Sequence, residues 1–187
     1  LGLMGCMVGT GNQALIRRKL PYVDVFAPPS DPRPIIDYVE ERLSRQTGAP
    51  EHERMEKFVW QSGEITLPAR ERDRPVGAYI PIVYGCSHAC TYCIIPYKRG
   101  AEHSRDPQEI LDHAASLSHQ GVKEVTLLGQ IVDRYGQDRP DYPTLAGLLK
   151  LIHEIDGIER IRFLTSHPNW MTDELLETVH SLPKVMR

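Results

Sequence analysis

Ala78-Tyr79-Ile80-Pro81-Ile82-Val83-Tyr84, followed at once by Gly85-Cys86-Ser87-His88-Ala89-Cys90-Thr91-Tyr92-Cys93, is the stretch on which the fold turns. The apolar, aromatic and β-branched run reads as a strand. Pro81 is its weak point, since proline donates no ladder hydrogen bond. Downstream, Asp106 is a helix cap with Pro107 in the first helical position. The helix it opens runs through His119, with Ile110, Leu111, Ala114, Ala115 and Leu117 facing inward and Gly121 as the stop. Three cysteines at C-x3-C-x2-C spacing therefore lie between a strand and a helix.

The same rhythm continues toward the end of the chain. Val122 to Leu128 reads as a strand ending in Gly129, and Thr144 caps a helix through Ile155. Arg160 to Thr165 is a further strand, and Thr172 caps a helix through His180. Three successive βα units fit a parallel barrel or an open parallel sheet. Leu182 to Met186 begins another apolar stretch where a fourth strand is due.

Working back toward the start, Leu1 to Gly9 and Tyr22 to Ala27 are apolar runs suited to buried strands. Asn12 to Leu20 reads as a helix ended by Pro21. Asp31 caps a second helix whose Ile35, Ile36, Val39 and Leu43 recur at helical spacing. From Ser44 to Pro75 the apolar pattern thins. Lys57-Phe58-Val59-Trp60 and Glu64-Ile65-Thr66-Leu67 suit a hairpin about Gly63, and Arg70, Arg72 and Arg74 alternate with Glu71 and Asp73 as a solvated mixed-charge face would. The expected organisation is an α/β chain: a small α/β domain over residues 1–45, a linker over 46–75 and a parallel βα domain over 76–187.

Composition excludes several classes. With 187 residues, 41% of them apolar, there is material for a sizeable core, so global disorder is ruled out. No apolar run reaches the ~18 residues of a membrane span and Leu1 to Gly9 lacks the basic flank of a signal peptide, so a cytoplasmic setting is expected. The formal charge of −3 gives no overall basic footprint for nucleic acid. Four cysteines, Cys6, Cys86, Cys90 and Cys93, are too unevenly placed for a disulfide-stapled domain.

Cys86, Cys90 and Cys93 lie close enough to address one centre, and soft thiolates suit zinc or iron–sulfur chemistry. A structural zinc knuckle would draw its fourth ligand from His88 or His103. Three unligated thiols in one loop would instead be an oxidation hazard.

The cysteine spacing, with Tyr92 at the aromatic position before the last cysteine, resembles the signature of radical S-adenosylmethionine (SAM) enzymes. The likeness extends through Ile95-Pro96-Tyr97-Lys98-Arg99-Gly100, Glu102, Ser104-Arg105, Leu127-Leu128-Gly129-Gln130, Val132, Tyr135-Gly136 and Thr165-Ser166-His167-Pro168. These stretches are similar to the methylthiotransferase branch, and within it to tRNA methylthiotransferases of the MiaB type. Gly5-Cys6 and Val23-Asp24 resemble the end of that branch's amino-terminal domain.

The resemblance implies a partial parallel (βα) barrel of radical SAM type preceded by part of a small α/β domain. It implies a 4Fe-4S cluster on Cys86, Cys90 and Cys93 whose open iron holds SAM, and a 5′-deoxyadenosyl radical that takes hydrogen from C2 of an N6-modified adenosine beside the anticodon, where a methylthio group is placed. Gly129, Gln130, Ser166 and His167, at the ends of strands, are then candidate cofactor contacts, although His167 also suits a cap. Tyr92 either faces the adenine of SAM or packs in its loop. Lys98, Arg99 and Arg105 form a candidate basic cluster for phosphate or for the cofactor carboxylate, against ordinary surface ion pairing. Implied partners are tRNA, a flavodoxin-like or ferredoxin-like electron donor and a sulfur source, with no membrane. Ribosomal-protein aspartate methylthiotransferases share the cysteine motif and are the alternative; a structural zinc-binding or truncated non-catalytic module is the alternative of another class.

The chain departs from the branch in two respects. Its members carry a second 4Fe-4S cluster on three further cysteines, of which only Cys6 has a match, the other two being expected before Leu1. Nothing matches the carboxy-terminal RNA-binding module. The physiological protein is therefore expected to be longer at both ends, with residues 1–187 inactive alone and the half-barrel edge prone to aggregate.

Overall fold

The computed structural model describes residues 1–9, 12–29, 31–47 and 76–186. The expected hairpin between Lys57 and Leu67, and the alternating charges of 70–74, lie outside them. The described residues belong to two compact units: 1–47 with Gly85–Ala101, and 76–84 with 102–186.

In the first unit, β1 (Gly2–Met4) and α1 (Ala14–Lys19) are followed by β2 (Val25–Ala27) and α2 (Arg33–Thr47). The two strands pair in parallel with Leu3 opposite Phe26. β1 is shorter than its apolar run, because Gly5, at φ +130°, turns the chain after Met4 and its carbonyl takes the amides of Val8 and Gly9. A small core of Val8, Val23 and Phe26 is flanked by Leu3, Ile16 and Leu20. Asp31 caps α2 as expected, accepting from the Arg33 amide at 3.1 Å. Ile35 packs over Gly2, whereas Val39 and Leu43 on the same helix are exposed.

The expected strand over Ala78–Tyr84 is two strands in the second unit. β3 (Gly77–Pro81) lies at the edge of a parallel sheet, while β4 (Val83–Tyr84) pairs antiparallel with β5 (His103–Ser104). The cysteine span, with its helix α3 (Ile95–Arg99), is the excursion between β4 and β5. Pro81 itself stays in register with Leu128, and the break is a change of partner, from β6 to β5. The Ile82 amide still reaches the Leu128 carbonyl at 2.8 Å, so the face on which Pro81 lacks an N–H is the open edge, where proline is tolerated. On that edge the Pro81 carbonyl accepts from the Arg105 guanidinium at 2.8 Å.

The remaining elements are α4 (Pro107–His119), β6 (Glu124–Leu128), α5 (Leu145–His153), β7 (Arg160–Phe163) and α6 (Asp173–Ser181). The strands run parallel in the order β3-β6-β7, and Val185 adds a parallel bridge to Ile161 on the far side of β7. The fold is thus mixed α/β with parallel sheets. Helix starts follow the caps read from sequence. Asp106 accepts from the Gln108 and Glu109 amides, Thr144 from Gly147 and Thr172 from Leu175.

Ile80, Val125, Leu127 and Ile161 from the strands meet Ile110, Ala114 and Leu117 of α4 and Leu145, Leu148, Leu149 and Ile152 of α5 in one core. His113 is also buried on α4, a position that apolar spacing does not flag, whereas Ala115 is only half-buried. No helix among the described residues is long and apolar enough to cross a membrane.

Candidate functional site

The cysteine loop is closed at its neck by glycine chemistry. Gly85 has φ +66°, and a Cβ there would lie 2.0 Å from the Ala101 carbonyl oxygen, so no other residue fits. The Cys86 amide donates to the Gly100 carbonyl at 3.0 Å, and Gly100, at φ +79°, ends α3. Within the loop the Cys93 amide donates to the Cys90 carbonyl at 3.1 Å, folding those two cysteines into one tight turn. Cys86 is buried, Cys90 and Cys93 are half-buried, and none is in a disulfide. The three sulfurs thus share one short closed loop.

Around them, Tyr92 is 91% exposed, and Ile94 and Tyr97 are also exposed, so the Tyr92 ring does not pack within its loop. The Lys98 stem lies over Gly9, its Cδ 3.0 Å from where a Cβ of Gly9 would be. The cysteine loop therefore touches the turn that follows β1, which carries Cys6, itself exposed. Arg99 Nε is buried with no hydrogen-bond partner among the described residues.

The other candidates belong to the second unit, at the carboxyl ends of its parallel strands. Gly129 follows β6 and is tightly enclosed: a Cβ would meet Val83 at 3.2 Å and Val132 at 3.3 Å. Its carbonyl accepts from Thr165 Oγ1 at 2.7 Å, which ties the end of β6 to the end of β7. Gln130 is half-buried beside it and Ser166 is exposed. His167 caps the 3₁₀ turn Pro168–Trp170 through Nδ1, which accepts from the Asn169 amide at 3.2 Å. Lys98 and Arg99 lie in the first unit and Arg105 in the second, where it is engaged locally with Pro81 and, at 4.0 Å, with Glu109.

Sequence reasoning missed the 3₁₀ turn Val132–Arg134 after β6. Both oxygens of the buried Asp133 accept the His167 amide, at 3.0 and 3.3 Å. Arg134 Nε donates to the buried Glu102 carboxylate at 2.7 Å and its guanidinium stacks over Trp170 at 4.1 Å. Nearby, Ser104 Oγ accepts from the Gly136 amide at 2.9 Å while the Ser104 amide donates to Asp138 at 3.0 Å, and the Tyr135 hydroxyl donates to the Arg105 carbonyl at 3.0 Å. Burial pushes the Tyr135 phenol well above its ordinary range. The Glu102, Ser104-Arg105 and Tyr135-Gly136 stretches thus interlock. The one sequence signal for this was their appearance in two separate motif runs.

The family model for the radical SAM superfamily matches residues 80–185. The chain belongs to the radical SAM superfamily. It is 45% identical over 98% of its length to the tRNA-2-methylthio-N(6)-dimethylallyladenosine synthase of Herpetosiphon aurantiacus, covering 39% of that protein. The enzyme of the same name from Roseiflexus sp. is 45% identical over 98% of the chain, with 36% of it covered. That of Clostridium botulinum (strain Okra) is 36% identical over 99% of the chain, with 40% covered. The chain thus spans about two fifths of the length of these relatives.

The superfamily's cofactors are a 4Fe-4S cluster and SAM. This radical SAM chain offers a donor set that suits them: three disulfide-free sulfurs on one loop whose neck only glycine can form.

Proposed function

We propose that this chain works within a tRNA methylthiotransferase, an enzyme placing a methylthio group on C2 of an N6-modified adenosine beside the anticodon. The carrying observation is a closed Cys86-x3-Cys90-x2-Cys93 loop in a chain 45% identical, over 98% of its length, to a tRNA-2-methylthio-N(6)-dimethylallyladenosine synthase. The order β3-β6-β7, continued by Val185, supports a partial (βα) barrel, because spatial neighbours follow chain order.

Cys86, Cys90 and Cys93 are the proposed cluster ligands, as thiolates, leaving one iron for SAM. When bound, the cluster and SAM supply one-electron chemistry able to remove hydrogen from an aromatic carbon that no base deprotonates at neutral pH. The chain's own part is to hold and orient. Gly85 and Gly100 keep the loop closed, and burial of Cys86 limits water at its sulfur. Tyr92 presents an exposed ring suited to stacking on adenine. Gly129 and Gln130 after β6, with Ser166 and His167 after β7, are the proposed SAM contacts. Lys98, Arg99 and Arg105 are the proposed contacts for phosphate or the cofactor carboxylate, Arg105 also steadying the open edge of β3. Cys6 is the proposed ligand of a second cluster. An electron donor of flavodoxin or ferredoxin type and a sulfur source complete the partners.

Two measurements test this. Anaerobic reconstitution is expected to give a brown protein with about four irons bound per chain on the Cys86 loop; a colourless protein holding one zinc overturns the cluster assignment. Nucleoside mass spectrometry of tRNA from a deletion strain is expected to show loss of 2-methylthio adenosines. Unchanged 2-methylthio content overturns the tRNA assignment and directs the search to ribosomal protein.

A further inference from the structure

Asp133 is 6% exposed, and a buried carboxylate is costly unless hydrogen-bond donors meet it. Both its oxygens converge on one backbone N–H, that of His167. Two residues before His167, Thr165 has φ +71°, the one non-glycine residue in the left-handed region among the described residues. That conformation is strained for a β-branched residue. It is held by the Thr165 hydroxyl on the Gly129 carbonyl at 2.7 Å and by the Val132 amide on the Thr165 carbonyl at 3.3 Å. Strain of this kind persists where surrounding bonds over-determine it, and it collects at functional sites. His167 Nδ1 in turn accepts the Asn169 amide, which directs the imidazole.

We infer that Asp133 is a positioning residue for SAM binding, fixing the His167 peptide against the end of β6. Nothing places Asp133 against the reacting atoms. It acts through the loop after β7, and the inference rests on the reading above in which His167 and Gly129 contact the cofactor. The geometry suits such a role. A buried charge that holds a backbone N–H sets the path of the loop whatever the His167 side chain touches, and the strained Thr165 peptide leaves that loop few alternative conformations.

The test measures affinity of the anaerobically reconstituted protein for S-adenosylhomocysteine, which lacks the cleavable sulfonium, alongside iron content and thermal midpoint. Asp133→Ala is expected to weaken binding roughly tenfold with iron content unchanged. Asp133→Asn, which keeps an acceptor for the His167 amide, is expected to recover most of that loss. On a His167→Ala background the Asp133→Ala effect is expected to shrink to less than about twofold. An Asp133→Ala protein that binds like wild type with full iron overturns the inference alone, and so does an Asp133→Asn variant with normal iron that binds as weakly as Asp133→Ala. If Asp133→Ala does not fold, the Asn variant decides: near-wild-type affinity supports the role and a large loss removes it. Wild-type protein that takes up iron but fails to bind the probe overturns the cofactor reading, and this inference with it.

Discussion

Arg134 Nε lies 2.7 Å from the Glu102 carboxylate, in a pair whose acidic side chain is 2% exposed and whose basic one is 16% exposed. Glu102 directly follows the cysteine loop in sequence and Arg134 closes the 3₁₀ turn after β6, so this pair fixes where the chain resumes after the excursion. The guanidinium also lies over the Trp170 ring, 4.1 Å from its centroid.

Removing either partner of this pair leaves a charge with little water around it. Glu102→Ala or Arg134→Ala is expected to cost about 3–5 kcal/mol of unfolding free energy, read from urea denaturation. Glu102→Gln, which keeps an acceptor for Arg134, is expected to cost less. A pair worth under about 1 kcal/mol, as on an open surface, contradicts the buried assignment.

The loop neck is expected to be intolerant of a methyl group. Gly85→Ala puts a Cβ against the Ala101 carbonyl and forces a left-handed residue. Iron bound after reconstitution should fall severalfold, with the parallel sheet retained by circular dichroism. Gly5→Ala is the control: it meets no atom within 4 Å, although its φ of +130° carries strain of its own. Equal iron in wild type and Gly85→Ala defeats the prediction.

Single replacement of Cys86, Cys90 or Cys93 by Ala is expected to abolish the visible absorbance assigned to this loop, as one remaining pair of thiolates cannot hold a cube securely. Cys6→Ala should leave that absorbance intact. If Cys6→Ala removes it as well, the two centres are not separate.

Stability should respond to pH through His113. Burial pushes its imidazole below the ordinary value of 6.5, with the Arg105 guanidinium adding a smaller push in the same direction. The unfolded chain then binds more protons just below pH 6.5, so the contribution is complete above that value and is lost as pH falls toward the folded-state pKa. Nδ1 of His113 is buried with no partner among the described residues, so His113→Leu should be neutral to stabilising at pH 7.5. The urea midpoint of that variant is expected to vary less between pH 7.5 and 5.5 than the wild type's. Parallel profiles would falsify this role.

Much of the second unit was legible because its signals are local. Asp106, Thr144 and Thr172 mark helix starts within a few residues of themselves, and the βα rhythm follows from apolar spacing. The division of Ala78–Tyr84 into β3 and β4 was not legible, because a proline inside an apolar run says only that one edge is unpaired. The cysteine loop stood out by composition. Asp133, Arg134 and Trp170 did not, for their partners lie 32–36 residues away in the cases of Asp133 and Arg134, and only the folded sheet brings these together. The pairing of Lys98 with Gly9 is equally invisible to any short window.

The β4–β5 ladder pairs Val83 with Ser104 and Tyr84 with His103, so the chain leaves and re-enters the second unit at adjacent rungs. Glu102, which pairs with Arg134, stays with the second unit, and in sequence Gly85–Ala101 is a cartridge between the two strands of that hairpin. Swapping it for an Asn-Gly turn should yield a cofactor-blind scaffold with its parallel strands undisturbed, and grafted variants of the cartridge could then be compared on one common chassis.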